Sequence, residues 1–272
     1  MSTHGKRRAL GQHFLKDAVL ASSIADYAIQ KATELNCKAV LEIGPGRGAL
    51  TFPILQALGK LPEKPEFILC EKDYALAQYW REAHQNVKEY DFLDLPDAEW
   101  LSQVPVAIVS NLPYSVGTPI VSRLARKPGQ IPFMILMFQA EVAQRLRAEQ
   151  GTKAWGSMSV WIQNYWTVEK FASVPPRAFQ PPPEVDSEVV TLVPRENPFV
   201  AIDQEKDPGG LRYWEPLLKT CFAHRRKMLR SGLPGSGPWR NALEVSGVDG
   251  TKRSEALSWN EWQKLYLALI RA

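Results

Sequence analysis

Cysteine is scarce in this sequence. Its 272 residues include three cysteines, Cys37, Cys70 and Cys221, and no two of them have the short spacing of a paired site. This pattern predicts neither a disulfide framework nor a structural zinc site, and we expect no bound metal. A reduced, cytoplasmic setting fits such cysteine usage best.

Long apolar runs are also lacking. No apolar stretch approaches the roughly 20 residues that span a bilayer, and the residues around Ala9 and Leu10 do not form the apolar core of a signal peptide. We therefore expect a soluble protein with no membrane partner. Its length allows one large and one small domain, and its net charge of +4 weakly favours an anionic partner.

Three glycines stand at alternate positions within residues 40–51. An apolar run containing Glu42 precedes Gly44, Gly46 and Gly48, and a helical pattern follows. The stretch predicts a buried parallel strand, a sharp turn and the first turn of a helix. Open α/β sheets hold nucleotide-like ligands at such turns. We expect an adenosine-containing cofactor of undetermined kind here; the alternative is a tight connection without a ligand.

Acidic residues end the next two predicted strands. Glu71 follows the strand 67–70, and Asp91 follows the strand 87–90. An acid at the first position is suited to accept hydrogen bonds from ribose hydroxyls. Asp91 is predicted to accept a hydrogen bond from the adenine amine. The alternative for Glu71 is a helix-capping or surface acid, and the alternative for Asp91 is an ordinary loop aspartate.

The fourth predicted strand, 106–109, runs into a distinctive segment. Asn111 supplies a side-chain acceptor, Leu112 a backbone carbonyl aimed by Pro113, and Tyr114 a ring for stacking on a base. Two acceptors beside an aromatic face predict a clamp for an aromatic amine.

The predicted clamp helps to distinguish a hydride-transfer enzyme from an enzyme that methylates an exocyclic amine. Residues 44–49 also match the dinucleotide fingerprint of hydride-transfer enzymes, but nicotinamide chemistry has no evident use for paired acceptors. Methylation of an exocyclic amine does, because the lone pair of an adenine amine is delocalised into the ring. Acceptors at Asn111 and Leu112 can hold both hydrogens and favour a pyramidal nitrogen. We predict attack of this nitrogen on a sulfonium methyl, with catalysis mostly by positioning.

The later strands complete an α/β pattern. Strands are predicted at 133–138, 167–174 and 188–193, and the alternation with helices favours a doubly wound, mostly parallel sheet. The proline-rich loop 175–183 is expected to be stiff. Phe179 in that loop is expected either at the surface, where it could stack on a base, or as a plug in the core.

Composition changes after residue 195. We predict a catalytic domain over residues 1–195, a linker over 196–210 and a small all-helical domain over 211–272. Basic residues lie near the N-terminus and after the first of these helices, and are predicted to contact the phosphates of an anionic partner. They are Lys6, Arg7, Arg8, Arg225, Arg226, Lys227 and Arg230. The alternative for the N-terminal residues is a solvated tail. The alternative for the others is that cations are favoured at the C-terminal end of a helix by the helix dipole.

Several motifs follow one another from about residue 6 to the C-terminus. They are GQHFL at 11–15, EIGPG at 42–46, NLPY at 111–114, VPPRAF at 174–179, PPPEVDS at 181–187 and FAHRRK at 222–227. With these motifs the sequence resembles the KsgA (RsmA) family of ribosomal RNA adenine dimethyltransferases. The resemblance implies a Rossmann-like class I methyltransferase fold and S-adenosylmethionine as cofactor. It implies dimethylation of two adjacent adenosines in a hairpin loop near the 3′ end of small-subunit (16S) rRNA, on a pre-formed 30S particle. We expect a monomer.

The resemblance also implies roles for individual residues. The catalytic set, which faces the reacting centre and sandwiches the target base, is Asn111, Leu112, Pro113, Tyr114 and Phe179. The cofactor set is His13, Leu15, Gly44, Gly46, Glu71, Lys72, Asp91, Phe92 and Asn111.

Two other functions stay open at this point. The chain could be a ribosome assembly factor whose methylation is incidental. It could also be a sibling enzyme that acts on large-subunit rRNA and confers drug resistance, or on adenine in DNA.

Overall fold

The computed structural model describes residues 13–83, 85–235 and 237–271. The chain divides into two compact units. The first consists of the chain up to residue 143 with residues 167–194, and the second of residues 144–166 with the chain from residue 195. This grouping differs from the sequence-based division, which placed residues 144–166 in the first domain.

The first unit alternates strands and helices. Its strands are β1 (Phe14–Leu15), β2 (Ala39–Ile43), β3 (Glu66–Glu71), β4 (Asn86–Glu89), β5 (Val106–Asn111), β6 (Met134–Gln139), β7 (Trp166–Val174), β8 (Phe179–Gln180) and β9 (Ser187–Pro194). Its helices are α1 (Ala18–Glu34), α2 (Thr51–Gly59), α3 (Tyr74–Glu82), α4 (Gly117–Leu124) and the start of α5 (Ala140–Leu146). Each strand predicted from the sequence is present, with ends shifted by one or two residues.

Among the described residues, seven strands form one sheet in the order β4-β3-β2-β5-β6-β9-β7, and β1 pairs with β8 in a separate ribbon. The pairs from β4 to β6 are parallel, whereas β9 runs antiparallel to β6. The predicted mostly parallel α/β fold is thus confirmed. The chain builds one side of the sheet through β4 and then returns to β5 beside β2. Open α/β sheets bind ligands where the strand order reverses in this way.

Helix α1 shows how the sequence builds the core beside this sheet. The carboxylate of Asp17 caps the helix by accepting the Leu20 amide at 3.0 Å. Ile24, Ala28 and other small or branched residues at helical spacing form its buried face. They share one apolar core with residues of β2, β5 and β6, so the helix covers one face of the sheet.

The second unit is helical. Its helices are α6 (Ser157–Gln163), α7 (Trp214–Ala223), α8 (Leu229–Gly232), α9 (Pro238–Ser246) and α10 (Trp259–Leu269). A capping box formed by Ser258 and Glu261 starts α10. Over the described residues, no helix combines the length and apolar character needed to cross a membrane.

The segment predicted as a linker, 196–210, is anchored within this unit. The side chain of Asn164 exchanges two hydrogen bonds with the backbone of Val200. The buried carboxylate of Asp207 accepts the backbone N–H groups of three residues at the start of α7, Arg212, Tyr213 and Trp214. The segment therefore forms part of the helical unit.

Candidate active site

A cleft opens at the carboxyl ends of β2, β3 and β5, where the strand order reverses. It encloses about 1030 Å³, counting the space open to solvent, which suits a small-molecule cofactor. The last residues of the three strands, Ile43, Glu71 and Asn111, all line it. Every predicted cofactor and catalytic residue except Phe179 lines the cleft. The structure therefore brings the glycine turn and the amine clamp to one place.

The glycine turn is held in a backbone conformation that other residues avoid. Gly44, Gly46 and Gly48 have φ angles of +69°, +54° and +89°. A Cβ at Gly44 would meet no atom within 4 Å, so the cleft is open at that point. A Cβ at Gly48 would lie 2.5 Å from the Phe52 ring and 2.7 Å from the Trp80 ring. The Trp80 indole donates to the Gly46 carbonyl at 3.0 Å, which ties the turn to α3.

Glu71 is fixed by two backbone donors. Its Oε2 accepts the Gly46 N–H at 3.1 Å and its Oε1 accepts the Asp73 N–H at 2.9 Å. Burial raises the pKa of this carboxyl, and backbone hydrogen bonds from Asp73, Gly46 and Lys72 oppose that rise. Each carboxylate oxygen has a second lone pair, so the group can still accept hydrogen bonds from a diol.

Asp91 and its neighbours form the next part of the wall. The Asp91 carboxylate accepts the Leu93 N–H at 3.1 Å and lies 3.4 Å from the Lys72 ammonium. The following side chain, Phe92, is buried, and the Arg123 guanidinium packs over its ring at 5.0 Å. These contacts hold Asp91 at the cleft.

Sequence reasoning assigned no role to Glu42, which also lines the cleft. It is 2% exposed, and its Oε2 accepts the Thr51 hydroxyl at 2.7 Å. Burial raises the pKa of Glu42 to about 8, and the nearby charge of Glu71 adds to the rise. One sequence feature could have identified Glu42 as a site residue. It is an acid within an otherwise apolar strand that ends in a glycine turn.

Asn111 and Tyr114 have defined partners. The Asn111 Nδ2 makes a long contact of 3.5 Å with the His13 carbonyl oxygen, which directs Oδ1 away from that carbonyl. The Tyr114 hydroxyl lies 2.6 Å from the hydroxyl of Ser187. Burial raises the pKa of Tyr114, so its hydroxyl stays protonated at neutral pH. Ser187 was missed because only the folding of β9 brings it beside Tyr114.

Phe179 does not reach the cleft. It is 1% exposed and packs in the core with Val174 and Leu15. The expectation that it is held at the surface is wrong, and the core-plug alternative is what the structure shows. The cause is the pairing of β8 with β1, in which Leu15 lies opposite Phe179. The ring beside Tyr114 is instead that of His13, with centroids 5.3 Å apart.

The predicted RNA-binding residues differ in their surroundings. The Arg225 guanidinium pairs with Glu255 at 2.7 Å and donates to the carbonyls of Lys153 and Thr152. The side chains of three others are exposed: Arg226, Lys227 and Arg230. The remaining three lie outside the described residues: Lys6, Arg7 and Arg8.

The cleft residues fit an adenosine-containing cofactor that carries positive charge. The carboxylates of Glu71 and Asp91 face the space that a nucleoside would fill, and Gly44 leaves room at the other end. These acceptors fit the nucleoside part of S-adenosylmethionine. Residues 111–114 at the same cleft, with their paired acceptors for an amine, favour this cofactor over a nicotinamide cofactor.

Known proteins with similar sequences and structures agree with this assignment. Residues 3–270 match the family described as "Ribosomal RNA adenine dimethylase". The chain is 38% identical over 273 residues to Ribosomal RNA small subunit methyltransferase A of Thermosynechococcus vestitus, covering 95% of each protein. A solved dimethyladenosine transferase from Plasmodium falciparum is similar with a TM-score of 0.69 and 25% identity, over 94% of this chain and 96% of that one. The 23S rRNA methyltransferase ErmE has a TM-score of 0.61 and 25% identity, over 94% and 99%.

The fold and the resemblance predicted from the sequence are confirmed. The molecule has a class I methyltransferase fold, transfers methyl groups and uses S-adenosylmethionine as the donor. Because the match extends over nearly the whole sequence, this chain belongs to the ribosomal RNA adenine dimethylase family.

Proposed function

We propose that this enzyme dimethylates N6 of two adjacent adenosines in the 3′-terminal hairpin loop of small-subunit rRNA, on a pre-formed 30S particle. The observation that carries the proposal is the meeting of the glycine turn and residues 111–114 at one cleft. Relatives named Ribosomal RNA small subunit methyltransferase A support the choice of subunit. A monomeric enzyme in the cytoplasm is part of the proposal.

S-adenosylmethionine, when bound, supplies an electrophilic methyl group on a positively charged sulfur. The chain's own residues provide position and charge. Glu71 accepts hydrogen bonds from the ribose hydroxyls, Asp91 accepts one from the adenine amine of the cofactor, and Gly44 leaves room for the amino-acid end.

The target adenine is held by the segment after β5. Its amino group donates to Oδ1 of Asn111 and to the carbonyl of Leu112, while its ring stacks on Tyr114. With both hydrogens held in the first transfer, and the one remaining hydrogen held in the second, the nitrogen becomes pyramidal and its lone pair is free to attack the methyl carbon as the carbon–sulfur bond breaks. The alkylated nitrogen is strongly acidic, so it releases its proton to water without a dedicated base. Orientation of this kind is worth on the order of 7–11 kcal/mol.

Substitution of Asn111 tests the clamp. We expect Asn111→Ala to lower kcat at least tenfold, because an acceptor for a group that develops charge is worth roughly 1.5–3 kcal/mol. Asn111→Asp retains an oxygen acceptor and should lose less. The measurement is transfer of labelled methyl groups to 30S particles that lack the modification.

Gln78→Ala is the matched control for this test. Gln78 lies on α3, where its amide donates to Glu82 at 2.9 Å, so the change removes an exposed amide outside the cleft. Parental rates in Asn111→Ala would refute the clamp.

The choice of RNA needs a separate experiment. We expect two adjacent dimethyladenosines near the 3′ end of small-subunit rRNA in cells that contain this protein and unmodified adenines in cells that lack it. The similarity to ErmE makes a large-subunit target the second candidate. Loss of methylation from large-subunit rRNA alone would establish that candidate.

A further inference from the structure

The His13 side chain makes two contacts that the proposed function does not use. Its Nδ1 lies 2.9 Å from the carbonyl oxygen of Pro181. Its ring lies against that of Tyr114, with 5.3 Å between centroids and 32° between planes. Because a carbonyl only accepts, Nδ1 carries the hydrogen of this bond. His13 thus joins the proline-rich loop to the aromatic ring of the amine clamp.

The backbone around His13 is fixed by the β1–β8 ribbon. Phe14 lies opposite Gln180 and Leu15 opposite Phe179, and the Lys16 N–H donates to the Ala178 carbonyl at 2.8 Å. His13 immediately precedes this ribbon. Its ring is therefore presented to Tyr114 by ordered backbone on two segments.

The spacing of the two rings decides which face of Tyr114 a base can use. A base inserted between His13 and Tyr114 would require centroids roughly 7 Å apart, twice the ~3.4 Å separation of stacked bases. The observed 5.3 Å is too small. The base must stack on the face of Tyr114 turned away from His13. The position of the Tyr114 ring is also fixed at its hydroxyl end, because this hydroxyl forms a hydrogen bond of 2.6 Å with the hydroxyl of Ser187.

We propose that His13 is a positioning residue for the target base. Its ring supports one face of Tyr114, so that the opposite face is presented to adenine while Asn111 holds the amino group. The proposal rests on the proposed function, in which Tyr114 stacks on the target. It assigns to His13 a support that the buried Phe179 does not provide.

Three variants separate the two contacts of His13. His13→Ala removes both, His13→Phe keeps the ring and loses the donor, and His13→Asn keeps an N–H donor and loses the ring. We expect KM for unmodified 30S particles to rise about three- to tenfold in His13→Ala and His13→Asn, the range for a lost aromatic pair. His13→Phe should recover most of the loss. Because the resemblance implies that His13 also contacts the cofactor, KM is measured at saturating S-adenosylmethionine, and the Kd of each variant for the cofactor is measured by calorimetry.

A double variant tests whether the effect passes through Tyr114. We expect His13→Ala to add nothing to the KM of Tyr114→Ala. Additive losses, an unchanged KM in His13→Ala, or a loss confined to cofactor affinity would each overturn the positioning role. If the parent enzyme itself transfers no methyl group to 30S particles, the proposed function fails and this inference fails with it. If the parent enzyme methylates 30S particles and the His13 variants have the same KM as the parent, the proposed function stands and only this inference fails.

Discussion

At the scale of single residues, burial changes the chemistry of the carboxyl group at Glu42. The side chain lies within β2, with the Thr51 hydroxyl as its hydrogen-bond donor and Glu71 as a nearby acid. Burial is the largest cause of its raised pKa of about 8. Glu42 is therefore mostly neutral at pH 7, and the cleft carries less negative charge than its acids suggest.

This shift makes stability depend on pH. Between an unfolded pKa near ~4.3 and the folded value of about 8, the folded state binds more protons than the unfolded state. The free energy of unfolding should therefore fall as pH rises through this window, by roughly 5 kcal/mol at most, and level off above it. We expect Glu42→Gln to remove most of this slope. Urea unfolding at pH 5, 7 and 9 measures it.

Glu63→Gln is the control, because Glu63 is an exposed acid on the loop after α2. It should leave the slope as in the parent. Equal slopes in the parent and in Glu42→Gln would show that Glu42 is not the group responsible.

At the scale of elements, the turn between β2 and α2 depends on aromatic packing from α3. Phe52 and Trp80 lie with ring centroids 5.3 Å apart, and both approach Gly48. The indole hydrogen bond to Gly46 links this packing to the cofactor end of the cleft. A change at Gly48 should therefore affect both stability and cofactor binding.

We expect Gly48→Ala to destabilise the fold by about 2–4 kcal/mol, because the new methyl overlaps two rings at a positive φ. Cofactor affinity should fall with it. Gly59→Ala at the end of α2 is the matched control, since a Cβ there meets no atom within 4 Å, and it should be neutral or stabilising by about 0.4–1 kcal/mol. The measurements are urea midpoints and calorimetric Kd values. Equal midpoints for the two variants would contradict the packing explanation.

At the scale of the whole molecule, the net charge of +4 includes cations of two kinds. Some are already paired with groups of the protein, and others are exposed and can contact a partner. Arg225 holds Glu255 and two carbonyl groups of its own unit. Arg226 and Lys227, next to it in sequence, are exposed. The structure thus separates one structural arginine from two cations suited to contact phosphate.

Salt dependence of binding to 30S particles tests this division. Arg226→Ala and Lys227→Ala should each lower the slope of log Kd against log salt concentration by about 0.7–0.9, the contribution of one phosphate contact, and leave Tm close to the parent value. Arg225→Ala should instead lower Tm, because Glu255 and two carbonyls lose their donor. Unchanged slopes in the first two variants would remove these residues from the RNA interface.

Much of the fold and of the site followed from local pattern. Strand β2, its glycine turn and the residues after β5 were located because apolar runs and turn residues act on their immediate neighbours. Their convergence followed from a general property of parallel sheets, which place carboxyl ends at one edge. The glycine turn, Glu71 and Asp91 were predicted on this basis, the resemblance implied the other cofactor residues, and Glu42 was missed.

The sequence by itself determined the class of fold and the positions of the glycine turn and of residues 111–114 at strand ends, because each depends on residues close together in the chain. Only the tertiary structure decided that Phe179 is buried, that Ser187 and His13 contact Tyr114, and that Arg225 is already paired. It also decided that residues 144–166 join the helical unit. These outcomes depend on which distant segments meet, and the free energy of such contacts is set by the packed surfaces of both partners rather than by the pattern of either one.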